Sequence, residues 1–310
     1  MHNESRRAII AAFLANLGIA VAKLVGFFFT GAASMMAEAI HSFADTSNQG
    51  LLLLGGRLAR RAETPEHPFG YGRERYFWSF VVALVIFSLG AVFAAYEGID
   101  KLIHPHAIKA PGWAVGILLL ALVLEGWSLR TAVRESNRVR GDMSWWSFIR
   151  RSKVPELPVV LLEDLGALLG LVLALLGVGL AMLTGDPRFD ALGSLAIGLL
   201  LGVIAAVLAI EMRSLLLGES ASRKTLARLQ EIVAAHPAVC RLIHMRTEHI
   251  GPEELLVGVK VELEAELDFA SLAERINEIE DRVREAVPIA RIIYIEPDVY
   301  QPGQCEREDG

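Results

Sequence analysis

Residues 159–183 read VVLLEDLGALLGLVLALLGVGLAML, an apolar run broken only by the adjacent acids Glu163 and Asp164. The run is long enough for a helix that crosses about 30 Å of hydrocarbon. Its frequent glycine and alanine residues suit the close helix packing found in membranes. An aspartate at the centre of a membrane helix costs roughly 2.5–3.5 kcal/mol, so we expect partners for both acids elsewhere in the membrane.

The whole chain has the composition of a membrane protein. It has 310 residues, of which 53% are hydrophobic, too high a share for an ordinary soluble domain of this length. No small-residue cleavage site interrupts the first apolar run, so we interpret it as a span and not as a removed signal peptide. We predict an α-helical membrane protein with six transmembrane helices. The spans are expected at residues 8–29, 33–56, 77–99, 112–133, 157–184 and 190–212.

Basic residues cluster before the first span and in the second and fourth connections between spans. This bias predicts that these segments face the cytoplasm. Six spans then place both termini in the cytoplasm. We therefore expect the protein in the cytoplasmic (inner or plasma) membrane, with the lipid bilayer as a partner.

The sequence changes character after residue 213. Residues 214–310 carry 11 basic and 19 acidic side chains, a balance of 11 − 19 = −8, which argues against nucleic-acid binding. The order helix–strand–strand–helix–strand predicts a cytoplasmic α+β domain, ferredoxin-like, over residues 214–298. Residues 1–213 form the predicted transport domain, and residues 299–310 a disordered tail. Cys240 and Cys305 lie too far apart in the chain to suggest a disulfide framework or a thiolate metal cluster.

The second predicted span carries a polar stripe within MMAEAIHSFADTSNQG, residues 35–50. A helix places the members of this stripe on one face. They are Glu38, His41, Asp45 and Asn48. If this helix touches the fifth span, an imidazole and three carboxylates, those of Asp45, Glu163 and Asp164, come together in low dielectric. A bound divalent cation removes their repulsion, and one nitrogen with two or three oxygens suits tetrahedral Zn²⁺. The alternative is structural: polar side chains that hold helices together by hydrogen bonds.

Several motifs in order resemble the cation diffusion facilitator family, over essentially the whole chain. They are AEAIHSFAD in the second span, HPFGYGRER (67–75) after it, DALGSLAIGLLLG opening the sixth span, LLLGES (215–220) and MRTEHIGP in the tail domain. The segment HSFADTSNQGLLLLG, together with LLED in the fifth span, resembles the zinc transporter nine-like subgroup.

The resemblance implies a homodimeric, proton-coupled exporter of Zn²⁺ and related divalent ions, with six spans and a ferredoxin-like cytoplasmic domain. His41 and Asp45 match one pair of the family's metal ligands, and Asp164 matches one member of the other pair. The remaining member is Val160 in this chain, which cannot bind a metal. The fourth ligand stays open among Glu163, Asn48 and a water molecule.

Metal and protons compete for the same deprotonated ligands, which predicts exchange by alternating access around a mid-membrane site. Zn²⁺ is the expected transported ion and protons are the counter-ion. The alternatives are Mn²⁺, Fe²⁺ or Co²⁺ as the exported ion. Glu38 and Asn48 are expected to support the ligands or to line the ion path. Glu125, in the fourth span, is either an acid with no assigned partner or one paired with Arg130 at the helix end.

The cytoplasmic domain is expected to bind metal weakly if at all. His249 and Glu296 are its candidates, whereas Tyr71, Lys260 and Tyr294 stand where relatives of the family often carry histidine. Other functions fit less well. A non-transporting metal sensor or scaffold would not need the mid-membrane ligands, and an exporter of organic cations would need an aromatic-lined site. The sequence has no Ser/His or His-Glu-x-x-His arrangement, so we do not expect an enzyme.

Overall fold

The computed structural model describes residues 17–300, except for the side chains of His41, Asp45, Ile86 and Phe87. The chain divides into two compact units. Of the described residues, 17–58 and 75–213 form a helical unit, and 59–74 and 214–300 form a sheet unit. Cys305 and most of the predicted tail lie outside the described residues.

The described part of the helical unit is built from eight helices. They are α1 (Leu17–Thr30), α2 (Ala33–Leu58), α3 (Glu74–Val81), α4 (Phe87–Ile103), α5 (Pro111–Arg140), α6 (Trp145–Arg151), α7 (Glu156–Thr184) and α8 (Arg188–Leu217). A π-helical turn at Val82–Ile86 joins α3 and α4 into one helix.

Four of these helices are long and apolar enough to cross a membrane: α3–α4, α5, α7 and α8. They contain the third to sixth predicted spans. The first predicted span overlaps α1, although residues 8–16 lie outside the described part of the chain, and the second lies within α2. A mostly helical membrane unit with four apolar helices is therefore confirmed, and the count of six spans stays a prediction.

Glycine residues end two of these helices. Gly31, between α1 and α2, has φ 62°, and Gly185, after α7, has φ 73°. Both values lie in the left-handed region, which a residue without a Cβ adopts at little cost. The Gly185 amide donates to the carbonyl oxygen of Ala181 and so closes the last turn of α7. These turns allow consecutive helices to reverse direction and pack side by side.

The sheet unit has the predicted order of elements. It contains α9 (Arg223–Ala234), β1 (Val239–Gly251), β2 (Glu254–Leu263), α10 (Phe269–Ala286) and β3 (Ala290–Pro297). β1 pairs antiparallel with β2, and β2 pairs parallel with β3, which gives the sheet order β1–β2–β3. One face of each helix packs on the sheet, and the core includes Leu229, Val233, Val257, Val259, Ile279 and Val283. The small C-terminal sheet domain is thus confirmed, and its ferredoxin-like topology stays a prediction.

Three of the sequence motifs meet in this unit. A Cβ atom on Gly72, in HPFGYGRER, would lie 2.8 Å from the Ile250 carbonyl oxygen and 3.0 Å from the Gly251 Cα, in MRTEHIGP. Arg73 forms an ion pair with Glu248. The amide of His249 donates to the carbonyl oxygen of Glu219, in LLLGES, at 2.8 Å. The loop after α2 is therefore held on the β1–β2 end of the sheet.

Candidate metal-transport site

The two helices that carry the predicted ligands, α2 and α7, pack against each other. Gly170 of α7 leaves room for the Glu38 carboxyl group of α2, because a Cβ atom at position 170 would collide with it. Further along the contact, the Asn48 amide of α2 faces the Glu163 carboxyl group of α7 without completing a hydrogen bond. The expectation that the two polar helices touch is therefore met.

The acid pair of α7 is buried at this contact. The exposed fraction is 2% for Glu163 and 8% for Asp164. Ser128 of α5 donates a hydrogen bond of 3.0 Å to Asp164 Oδ2. Glu163 Oε2 and both amide atoms of Asn48 have no hydrogen-bond partner among the described residues. Buried polar atoms are rarely left unpaired, so the atoms of this cluster are candidates to bind a cation or a proton.

The other predicted ligands, His41 and Asp45, lie on α2, and their side chains are outside the described residues. The helical repeat places both on the face that carries Glu38 and Asn48, which are fully buried. The described side chains alone contain no group of three His, Cys, Asp or Glu residues that could hold a metal ion. Val160 is half-buried one turn before Asp164 and offers no ligand atom. The ligand set therefore stays a prediction.

Sequence reasoning missed a buried lysine beside this site. Lys23 of α1 is fully buried, and its ammonium group donates to Glu38 Oε2 at 3.2 Å and to Ser42 Oγ at 2.7 Å. Glu125 of α5 lies 3.9 Å from the same nitrogen. The ion pair that the structure gives Glu125 is thus with Lys23 and not with Arg130. The signal in the sequence was a single lysine within an apolar run, with acids in other spans as its possible partners.

A second buried lysine lies at the end of α4. Lys101 donates to Asp190 Oδ2 at 2.7 Å and to the Gly31 carbonyl oxygen at 2.8 Å. Asp190 opens α8 and also accepts hydrogen bonds from the Ala33 and Ser34 amides and from the Ser34 hydroxyl, at the first turn of α2. A carboxylate at a helix N-terminus satisfies free amides and interacts favourably with the helix dipole. This cluster fixes the start of the helix that carries the predicted ligands.

The structure does not bring together the two metal candidates of the sheet unit. His249 pairs with Leu255 across β1 and β2, whereas Glu296 pairs with Lys260, five residues further along β2. Lys260 Nζ lies 3.4 Å from Glu296 and 3.3 Å from Asp298. A hydrogen bond from the Val299 amide and the contact with Lys260 lower the pKa of Asp298. Glu296 is therefore part of a surface ion-pair group, and His249 is buried apart from it.

Other polar side chains of the sheet unit have ordinary surroundings. His236 is buried, and its Nε2 lies 3.2 Å from Glu278. The hydrogen bond from Arg275 is the main reason why the pKa of Glu278 is lowered. Tyr71 lies within hydrogen-bonding distance of Thr64, and Cys240 is exposed as a free thiol.

Known proteins resemble this chain along most of its length. The model of the cation efflux transmembrane domain matches residues 9–217. The proton-coupled zinc antiporter SLC30A9, mitochondrial, of Xenopus laevis is 40% identical over 250 residues, which cover 80% of this chain and 44% of that protein. The human protein of the same name is also 40% identical over 80% of this chain and 43% of its own length. The cation-efflux pump FieF of Citrobacter koseri is 26% identical over 93% of this chain and 91% of its own length.

The chain spans less than half the length of the antiporters that it matches at 40% identity. Its match to the family model nevertheless covers the whole described helical unit. The chain therefore belongs to the cation efflux family, also called the cation diffusion facilitator family, whose members are transporters and not enzymes.

Proposed function

We propose that this protein exports divalent metal ions, Zn²⁺ first, in exchange for protons, through a site at the contact of α2 and α7. Support comes from the names of the relatives, which include a proton-coupled zinc antiporter and a cation-efflux pump. The arrangement of acids in the helical unit gives independent support.

The observation that carries the proposal is the buried acid pair of α7. Glu163 and Asp164 lie side by side at the contact with α2, and no basic side chain among the described residues forms an ion pair with either. Two adjacent carboxylates in low dielectric repel each other unless a cation or protons neutralise them. A transported divalent ion that alternates with protons meets this requirement, whereas helix-joining hydrogen bonds do not need two acids.

The proposed ligands are His41 and Asp45 from α2 with Glu163 and Asp164 from α7. Glu163 takes the place that Val160 leaves open, because its Oε2 is buried with no hydrogen-bond partner in the described part of the chain and its neighbour Asn48 belongs to the opposite helix. One nitrogen and three carboxylate groups favour Zn²⁺, and also admit Mn²⁺, Fe²⁺ or Co²⁺. Asn48 and Glu38 border the site and support the ligands.

The coupling follows from the ligands themselves. Each ligand binds metal only when deprotonated, so protons that enter from one side displace the metal toward that side. An imidazole such as that of His41 changes charge near neutral pH, which suits this exchange. In the proposed arrangement, a homodimer with six spans per chain and cytoplasmic termini alternates access to the site in the cytoplasmic membrane.

The test is Zn²⁺ flux into proteoliposomes under an imposed pH gradient. We expect His41→Ala, Asp45→Ala, Glu163→Ala and Asp164→Ala each to reduce flux at least about 100-fold, because each removes one of four ligands. Asp100→Asn is the matched control, since the side chain of this acid, near the end of α4, is 46% exposed and its ion pair among the described residues is with His104. Near-normal flux in all four variants would remove the site assignment.

Measurements on the same proteoliposomes distinguish a transporter from a non-transporting metal sensor. Zn²⁺ binding without flux in the wild type would favour a metal sensor. Competition by Mn²⁺, Fe²⁺ and Co²⁺ ranks the ions, and collapse of the pH gradient should abolish net export if protons are the counter-ion.

A further inference from the structure

The cluster around Lys23 contains none of the proposed metal ligands. Its ammonium group contacts Glu38 and Ser42 of α2 and lies 3.9 Å from Glu125 of α5. Both Lys23 and Glu38 are fully buried, and Glu38 Oε1 has no hydrogen-bond partner among the described residues. The cluster therefore combines three ionisable groups with a buried carboxylate oxygen that is not satisfied.

The cluster is linked to the proposed site through two helices, α2 and α5. Ser42, which holds the ammonium group, directly follows His41, and the Glu38 carboxyl group lies against Gly170 of α7. On α5, Glu125 lies one turn before Ser128, so both side chains project from the same face of that helix. Ser128 in turn donates to Asp164. A change of charge at Lys23 should therefore change the electrostatic potential at the proposed ligands of both α2 and α7.

The charges in this region are strongly unbalanced. One ammonium group faces two carboxylates within the cluster, and the acid pair of α7 adds two more. Among the described residues, Lys23 forms its ion pairs with Glu38 and Glu125, and the other buried lysine, Lys101, is paired with Asp190. A lysine cannot leave with the substrate, so its positive charge stays beside the site in every step of transport.

We propose that Lys23 is a tethered counter-cation that keeps Glu38 and Glu125 from binding the metal and weakens metal binding enough for release. The inference rests on the proposed function and extends it. The ammonium group occupies the acids that would otherwise bind the divalent ion. Its positive charge also repels the bound ion, which lowers the affinity of the carboxylates for the ion and allows release. Lys23 is thus a positioning residue and not a ligand.

The test is the split between KM and the maximal rate of Zn²⁺ flux in proteoliposomes. Lys23→Gln removes one positive charge near a divalent ion, so we expect KM to fall about tenfold and the maximal rate to fall with it. Glu125→Gln removes a negative charge from the same cluster, and we expect KM to rise. Lys23→Arg keeps the charge and should keep KM within about threefold of the wild-type value.

The double variant Lys23→Gln/Glu38→Gln restores the balance of charge, and its KM should return toward that of the wild type. A purely structural role would lower the maximal rate in all variants without moving KM in opposite directions. If Lys23→Gln does not accumulate folded, Glu125→Gln and Lys23→Arg still test the sign of the effect. Unchanged or raised KM in Lys23→Gln, or unchanged KM in Glu125→Gln, would overturn the inference. Absence of flux in the wild type would instead overturn the proposed function.

Discussion

The helical unit contains two buried lysines that differ in how completely their partners are satisfied. Lys101 and Asp190 form a closed cluster, in which the carboxylate accepts hydrogen bonds from Lys101 and from the first turn of α2. Lys23 and Glu38 form an open cluster, in which one carboxylate oxygen has no partner among the described residues.

The difference separates two uses of buried charge. A fully hydrogen-bonded network is rigid and fixes one arrangement of helices, whereas an incompletely paired one costs stability and is kept for another reason. The closed cluster joins α2, α4 and α8 where α2 begins. The open cluster lies next to the acid pair of α7, in which Glu163 Oε2 also has no partner among the described residues. We therefore expect substitutions in the closed cluster to act on folding, and those around the open cluster to act on ion binding.

The largest expected effect is loss of stability on removing the charge of Asp190. Asp190→Asn leaves Lys101 buried without a counter-charge, and breaking a buried pair in this way costs about 3–5 kcal/mol. The measurement is thermal or denaturant unfolding of the purified protein in detergent. Asp186→Asn is the control, because the side chain of this half-buried acid accepts one hydrogen bond among the described residues, from the Arg188 amide. Equal stability of the two variants would show that the closed cluster does not hold the helices.

The second largest effect concerns the acid pair of α7, next to the open cluster. Glu163→Gln removes a buried carboxylate with one oxygen that no described residue hydrogen-bonds, so the metal-free protein should keep its stability or gain about 1 kcal/mol. The added stability that saturating Zn²⁺ gives the wild type should largely disappear, since a ligand stabilises only the state that binds it. The measurement is unfolding with and without Zn²⁺.

Glu156→Gln is the control for this variant. It lies at the start of the same helix and removes an acid that is paired with Arg75. We expect its Zn²⁺ stabilisation to match that of the wild type. A full Zn²⁺ response in Glu163→Gln would exclude Glu163 as the fourth ligand.

A smaller effect is expected where α7 makes room for Glu38. In Gly170→Ala the new methyl group would meet the Glu38 carboxyl group, so Glu38 must move relative to Lys23. We expect Zn²⁺ flux to fall about three- to tenfold through a change in KM. Gly179→Ala is the matched control on the same helix, because a Cβ atom there meets nothing within 4 Å. That variant should retain flux and gain up to about 1 kcal/mol from helix propensity. Similar flux in the two variants would separate Glu38 from the transport site.

The sequence predicted the features that depend on the local periodicity of polar and apolar residues. The polar stripe of α2 and the acid pair of α7 follow helical periodicity and hydropathy, and they identified the two helices that pack together. The strand alternation and turn after residue 213 likewise predicted the order of elements in the sheet unit. These features need only neighbours in the chain.

The sequence did not predict the pairing of charges between distant helices. Lys23 finds Glu38 fifteen residues later and Glu125 on a third helix, and Lys101 finds Asp190 eighty-nine residues later. Periodicity shows which face of a helix is polar but not which helix lies opposite. The fourth ligand was left open for the same reason, since only the fold shows that Glu163 faces Asn48. Matching every lone acid in a span to every lone base is the rule that could have found Lys23.

The smallest effect concerns an exposed charge of the sheet unit, which gives the buried clusters a reference. Asp268 accepts a hydrogen bond from the Ser271 amide at 2.8 Å at the start of α10, and this bond lowers the pKa of its carboxyl group. Because the pKa is lower in the folded state, the ionised carboxyl group stabilises the helix at any pH above the unfolded pKa of about 3.9. This stabilisation is lost as the pH falls through the folded pKa.

Asp268→Ala should therefore speed hydrogen exchange in the first turn of α10 about fivefold at neutral pH, and by less in acid. Asp268→Asn keeps the cap without the charge, so its exchange should stay slow and should not change with the titration of a carboxyl group. If Asp268→Ala instead destabilised the protein as much as Asp190→Asn, burial would not be what distinguishes the charges of the two units.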